Sequence, residues 1–307
     1  MLEYAYHPVL LEEIFRSILS TKKIHVIAPA SGLEEQELNR LRKLPFLSTF
    51  IPENLINPVI PYHANTDEMR LAQLKVALYE SEPEDIIWCL RGGYGSARLI
   101  DDLQKLSRPE HERTFIGYSD LTALHLFFSQ QWGWRTIHAA GFAQLLAPKW
   151  DKENFTRLAQ LIADPKAPQS MSLVPLNTLA ETSRSIRGRM NGGNLTLVEN
   201  SIGTVWQIRT SGCILFLEEV GEKGYRIDRA LTHLKQANLL NDVRAVVFGE
   251  CISDDEEVVM FALRRFANEV NFPVFQSQVF GHGVTNYPIV YQSEGTIEQL
   301  VLHMQVG

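Results

Sequence analysis

Asp85-Ile86-Ile87-Trp88-Cys89-Leu90-Arg91-Gly92-Gly93-Tyr94-Gly95 reads as a short buried β-strand that breaks into a glycine-rich loop. A helical stretch from Ser96 to about Leu106 follows. The same order recurs on both sides. Ile24-His25-Val26-Ile27-Ala28 is apolar, is stopped by Pro29, and precedes a charged helical stretch from Glu34 to about Lys43. Asn65, with Glu68 three residues on, has the spacing of a capped helix start, and that helix runs to about Glu80. Thr114-Phe115-Ile116-Gly117 is a third strand with a helix from Leu121 to Phe128 behind it, and Thr136-Ile137-His138 is a fourth. Strands alternating with helices pair in parallel through right-handed crossovers, so the fold class is α/β with a parallel sheet. Ligands collect at the carboxyl ends of such strands. The loops after Leu90 and after Gly117 are therefore where chemistry is expected.

The chain has 307 residues, long for a single core, and two domains are expected. The alternation weakens between residues 146 and 183, where Pro148, Pro165, Pro168 and Pro175 are spread, and this span reads as a connection between domains 1–145 and 184–307. In the second half, Gly188 to Asn194 is turn-rich and leads into a helix from Leu195 to Ser201. Cys213-Ile214-Leu215-Phe216-Leu217 is a buried strand ending at Glu218-Glu219. An amphipathic helix from Arg226 to Leu239, a strand from Val243 to Phe248, a helix from Glu256 to Val270 and a terminal strand at Leu300-Val301-Leu302 complete the pattern.

A net charge of -7 and no run of Lys and Arg argue against a nucleic-acid partner. Met1 to His7 carries no positive segment of the signal-peptide kind, and no window approaches a membrane helix. Cys89, Cys213 and Cys251 are widely spaced in apolar runs and read as reduced core residues, which points to the cytoplasm. No His pair has metal-ligand spacing, so neither a metal nor a cofactor is expected.

Ser119 stands immediately after a strand and before a helix. A tight turn there lifts the hydroxyl out of the sheet and turns the next amides toward it, with Gly117 allowing close backbone approach. The same position equally suits a helix cap, and Leu121 replaces the second glycine of a full G-x-S-x-G elbow. Arg91-Gly92-Gly93-Tyr94-Gly95 is either a tight turn, a phosphate cradle or a source of a backbone N–H aimed at a reacting carbonyl. Glu218, at the mouth of an apolar strand, needs a partner, with Arg226 or Arg229 as structural candidates and Glu219 and Glu222 as rival carboxylates. His282 lies between Gly281 and Gly283, which suits a base more than a core residue. His25 and His138 sit in strands and read as structural, while His125 and His233 lie on helices, at the surface or partly buried. The order Ser, Glu, His is compatible with a triad for acyl transfer.

Taken together, these segments resemble the LD-carboxypeptidase family of serine peptidases, which includes murein tetrapeptide carboxypeptidases and microcin C immunity peptidases. The resemblance rests on Val26-Ile27-Ala28-Pro29-Ala30-Ser31, on Arg91 to Arg98, and on Gly117-Tyr118-Ser119-Asp120-Leu121-Thr122-Ala123. It continues through Asn191-Gly192-Gly193-Asn194-Leu195, Leu215 to Glu219 with Tyr225 to Arg229, and Phe280-Gly281-His282. It implies a flavodoxin-like N-terminal domain, a smaller C-terminal α/β domain and a homodimer. It implies a triad of Ser119, Glu218 and His282 in the cleft between the domains, and it selects Glu218 over Glu219. The backbone N–H of Asp120 and one from Gly92 or Gly93 would form the oxyanion hole, and Arg91 and Asn194 are candidates to hold the substrate's carboxylate. The implied reaction is release of terminal D-Ala from a murein tetrapeptide in cell-wall recycling. Cleavage of an aminoacyl-nucleotide conjugate and a non-catalytic peptide- or nucleotide-binding protein are the alternatives. Gly224 stands where the family often has Pro, and Ile289 to Glu294 replaces a Pro-Leu-Gly-rich turn. The roughly 20 residues before Thr21 have no counterpart in the pattern.

Overall fold

The computed structural model describes residues 13–15, 22–43, 51–57, 59–147 and 151–306. Most of the N-terminal extension lies outside these, although Phe15 is buried against Trp88, ring centroids 5.6 Å apart. The first sheet has the order β1 (Ile24–Ile27), β2 (Ile86–Cys89), β3 (Thr114–Gly117), β4 (Ile137–His138), β11 (Ile289–Val290). Its first four strands are parallel, as their continuous apolar character predicts for strands buried on both faces. The helix Glu35–Arg42 follows β1, with acidic residues in its first turn, Arg40 and Arg42 in its last, and Leu38 and Leu41 buried. The next helix, Asp67–Tyr79, is capped by Thr66, whose hydroxyl accepts from Met69 N at 3.4 Å, so the cap falls one residue after Asn65.

The second sheet has eight strands in the order β5 (Gln169–Ser172), β13 (Val301–Gln305), β12 (Glu294–Glu298), β7 (Ser185–Asn194), β8 (Cys213–Val220), β9 (Ala245–Ile252), β10 (Val274–Gln276), β6 (Val174–Pro175). β7 through β10 are parallel, and the outer strands run antiparallel. The helices Gly224–Gln236 and Glu256–Glu269 bury their apolar stripes against it.

Three spans differ from their sequence patterns for identifiable reasons. Residues 146–183 carry the helix Lys152–Ala163 and both edge strands of the second sheet. β5 reads Gln-Ser-Met-Ser, half-buried and mostly polar, so no apolar run announces it. The turn-rich Gly188 to Asn194 is the parallel end of β7: a Cβ on Gly192 would fall on the Phe216 carbonyl, so the glycines there serve close strand approach. His125 is fully buried rather than at the surface; its Nε2–H donates to the Gly117 carbonyl at 2.9 Å, and its Nδ1 lies 2.7 Å from the Thr136 hydroxyl.

β11 belongs to the first sheet although it comes from the far end of the chain, pairing antiparallel with β4. Tyr291, the next residue, donates its N–H to the Thr136 carbonyl at 2.8 Å and its hydroxyl to the Gly192 carbonyl at 3.1 Å. Asn194 N donates to the Thr122 hydroxyl at 3.0 Å. These bonds fix the end of β7 against the helix that follows Ser119.

Candidate active site

β3 delivers Gly117 and an extended Tyr118 to the edge of the sheet, and the chain then turns at Ser119 with φ of +63°. A serine in this left-handed region is uncommon and strained, and it raises the hydroxyl above the strand ends. Residues Ser119–Leu121 form one 3₁₀ turn that runs into the helix Thr122–Phe127. The 3₁₀ turn has Tyr118, not Ser119, at its N-cap position, and the Ser119 hydroxyl makes no hydrogen bond among the described residues. The cap reading of Ser119 is therefore set aside by geometry.

The loop after β2 lies directly over this turn. A Cβ on Gly92 would stand 2.6 Å from Ser119 Cβ, 2.8 Å from Ser119 Oγ and 3.3 Å from Asp120 N. Only glycine leaves room there, and the Gly92 backbone is thus held beside the serine oxygen and the Asp120 amide. Gly93, at φ of +111°, meets the Ser31 side chain instead. Ser31 Oγ donates to the Tyr62 carbonyl at 2.7 Å and accepts from Tyr94 N at 3.1 Å, so the Pro29-Ala30-Ser31 segment pins the glycine loop.

Two further tethers were not apparent in the sequence. Arg70, 1 % exposed, donates to the carbonyls of Pro29 and Gly95 and to the Asp67 carboxylate at 2.5 Å, tying three segments to one guanidinium. The Asp120 carboxylate accepts from Ser96 N at 2.8 Å, while Ser96 Oγ donates to the Asp120 carbonyl at 2.6 Å. Burial pushes the Asp120 carboxyl upward, and the Ser96 bonds act against that push. Arg70 sits in an ordinary helical pattern, and its role depends on loops that only the fold brings to it.

On the facing side, β8 carries Glu218 through a register shift between Leu217 and Glu219. Glu218 is 0 % exposed, and its Oε2 accepts from His282 Nδ1 at 2.6 Å. The partner is therefore His282, not Arg226, which pairs with Glu222. A carboxylate can only accept, so Nδ1 carries the proton of this bond, and Nε2 is the ring nitrogen outside it. The Tyr118 ring packs against His282 at a tilt of 41°, centroids 4.7 Å apart, and helps hold the imidazole in place. Burial, with the nearby Glu218 charge, drives the Tyr118 phenol strongly upward and keeps it neutral.

The neighbouring carboxylates have other work. Glu219 accepts from Val220 N, Thr196 N, Thr196 Oγ1 and Asn194 Nδ2, and so fixes the start of the helix Leu195–Asn200. Asn194 is 4 % exposed; its amide donates to Glu219 and its carbonyl accepts from Leu197 N. The structure thus makes Asn194 a helix cap and does not bring it to the cleft. Glu250 lies under the His282 loop, where a Cβ on Gly283 would collide with its carboxylate.

Ser119 and His282 line one cleft of about 320 Å³, together with Gly92, Gly93, Tyr118, Arg91, Arg40 and Glu37. The candidate serine, the glycine loop and the Glu218–His282 pair thus converge from both sheets on one space. Arg91 stands at its rim, donating one long bond of 3.4 Å to the Gly32 carbonyl. Among the described residues no cluster of His, Cys, Asp and Glu could hold a metal ion, and no helix is long and apolar enough to cross a membrane. The three cysteines are free thiols.

Comparison with known proteins falls on the same two halves. Residues 24–139 match the LD-carboxypeptidase N-terminal domain and residues 187–297 the LD-carboxypeptidase C-terminal domain. A Rickettsia conorii protein, provisionally named a carboxypeptidase, is 47% identical over 91% of this chain and 89% of its own. The murein tetrapeptide carboxypeptidase of Pseudomonas aeruginosa is 28% identical over 90% of this chain and 93% of its own. Among solved structures, the microcin C7 self-immunity protein MccF in complex with aspartyl sulfamoyl adenosine superimposes with a TM-score of 0.71 at 17% identity, covering 92% of this chain and 96% of that one. At that identity the likeness speaks for the fold. With both family domains matched in order across most of its length, this chain belongs to the LD-carboxypeptidase family.

Proposed function

We propose that the protein is a serine carboxypeptidase that hydrolyses an L-to-D amide bond, releasing terminal D-Ala from a murein tetrapeptide. The observation that carries the reading is the 2.6 Å bond from His282 Nδ1 to the buried Glu218, with Ser119 and His282 in the same cleft. In this reading Ser119 Oγ attacks the scissile carbonyl and His282 Nε2 takes its proton. Glu218 holds the tautomer and stabilises the imidazolium that forms. His282 then gives the proton to the leaving D-Ala amine, and a water, activated by the same imidazole, hydrolyses the acyl-enzyme. The Asp120 N–H, with one from the Gly92-Gly93 segment, faces the oxygen that becomes negative; one such donor is typically worth about 100- to 1000-fold in rate. Arg91 holds the terminal carboxylate.

The relative from Pseudomonas aeruginosa favours the murein tetrapeptide, and the fold shared with MccF keeps an aminoacyl-nucleotide conjugate as the second substrate to assay. The test is mass-spectrometric detection of D-Ala from a synthetic tetrapeptide, in parallel with the L-Ala-terminated isomer and an aminoacyl-adenylate analogue. Release from the D-terminated peptide alone is expected. Turnover confined to the adenylate analogue would move the assignment to the second substrate.

A further inference from the structure

The cleft beside Ser119 contains more charge than the triad and Arg91 account for. Arg40 and Glu37 sit one helical turn apart on the helix Glu35–Arg42, and both line the cleft. Neither takes part in an ion pair or a side-chain hydrogen bond among the described residues. The adjacent Arg42 differs, donating to the Glu53 carbonyl at 2.9 Å. Among the described residues Arg91 likewise leaves most of its guanidinium free, with one bond, to the Gly32 carbonyl, 3.4 Å long. In a chain of net charge -7, a cleft wall that presents two unpaired guanidiniums runs against the overall field.

We infer that Arg40 is a specificity-determining residue that binds a second carboxylate of the substrate, so that the preferred peptide is at least a dianion held by Arg91 at its C-terminus and by Arg40 away from it. This rests on the carboxypeptidase reading above. A guanidinium accepts a carboxylate through two parallel N–H bonds, which fixes orientation as well as charge. Glu37 supplies the opposing element: a carboxylate displaced by one turn along the same helix meets a negative charge and is rejected. Together the two residues set where along the wall the second anion sits. The chemistry recognised is an anion, and a peptide carboxylate is preferred over a phosphate because Arg40 is exposed and offers no enclosing set of N–H donors.

The test measures binding by calorimetry to full-length protein carrying Ser119→Ala, so that turnover does not interfere. Two peptides are compared, one with a second free carboxylate upstream of the scissile bond and one with that group amidated. The acid is expected to bind about tenfold more tightly. Adding Arg40→Ala should bring the two affinities within about twofold of each other, and Arg40→Lys should restore part of the difference. Adding Glu37→Gln in place of Arg40→Ala should widen the acid-over-amide ratio, because the carboxylate that repels the second anion is gone. Equal weakening of both peptides, an unchanged ratio, or no binding of either would overturn the assignment. Adenosine monophosphate is titrated in the same variants. If only its affinity falls with Arg40→Ala, the anion held there is a phosphate and the carboxylate assignment fails. D-Ala release by the unmutated protein, measured separately, shows whether the underlying reaction stands when this inference does not.

Discussion

His282 Nδ1 lies 2.6 Å from Glu218 Oε2, and the carboxylate it meets is wholly buried at the end of β8. Among the described residues this buried carboxylate is paired through the histidine N–H alone and its other oxygen, Oε1, has no partner, which makes it poor structural cement. It is well suited to holding one imidazole tautomer with the free nitrogen toward the cleft.

Glu218→Gln preserves the shape of that contact and removes the charge. An amide can present its NH₂ to Nδ1 and select the wrong tautomer, so kcat should fall by roughly 10³- to 10⁴-fold with KM little changed. Steady-state kinetics of the purified variant checks this. A loss under tenfold would remove Glu218 from the mechanism.

Gly92→Ala places a methyl group 2.8 Å from Ser119 Oγ and 3.3 Å from Asp120 N. The expected result is a folded protein with kcat/KM reduced at least about 100-fold, the scale of one lost oxyanion donor. Circular dichroism and activity, measured together, separate this from unfolding. Near-normal activity would mean that the loop does not contact the reacting centre.

Arg70→Ala leaves the carbonyls of Pro29 and Gly95 and the Asp67 carboxylate without their shared donor. Leaving two buried carbonyls without their donor costs about 1–3 kcal/mol each, while Asp67 keeps its pair with Arg98. Urea denaturation should show that loss, and the residual folded protein should have reduced activity because the glycine loop is no longer held. Stability within about 1 kcal/mol of the unmutated protein would contradict the tethering role.

Burial pushes the His125 imidazole down to about 3, well below the ordinary 6.5, and His138 is shifted the same way. The unfolded chain therefore binds protons that the folded one refuses between these values. Stability is full above pH 6.5 and falls as pH drops below it, by about 1.4 kcal/mol per pH unit for each such histidine. Denaturant midpoints should fall between pH 7 and 5.5, and less steeply in His125→Gln. An identical slope in the variant would show that His125 titrates normally.

Much of this was legible in the sequence. β1, β2 and β3 are short apolar runs with glycine or proline at their ends, and their patterns identify them directly. The pairing of Glu218 with His282 was legible only as a family pattern, since 64 residues separate them and several carboxylates competed locally. The structure resolves that competition by giving Glu219 to Thr196 and Glu222 to Arg226. The tethering roles of Arg70 and the Asp120 side chain are not legible, because the Pro29 and Gly95 carbonyls and the Ser96 amide they bond are backbone groups that carry no residue type, and Asp67 alone reads as an ordinary pair on one helix. The burial of His125 is not legible either, because one histidine on an apolar helix face looks like any polar interruption until Gly117 and Thr136 supply its bonds. β5 and β6 leave no apolar run in the sequence, because edge strands half-exposed to solvent lack the signature of the central ones.

In the proposed reaction Ser119 is the nucleophile. The most direct measurement is D-Ala release from a synthetic murein tetrapeptide by the unmutated protein and by Ser119→Ala under identical conditions. Release by the former, and at least a 10³-fold reduction in a folded variant, is the predicted result. Comparable release by Ser119→Ala would contradict the account.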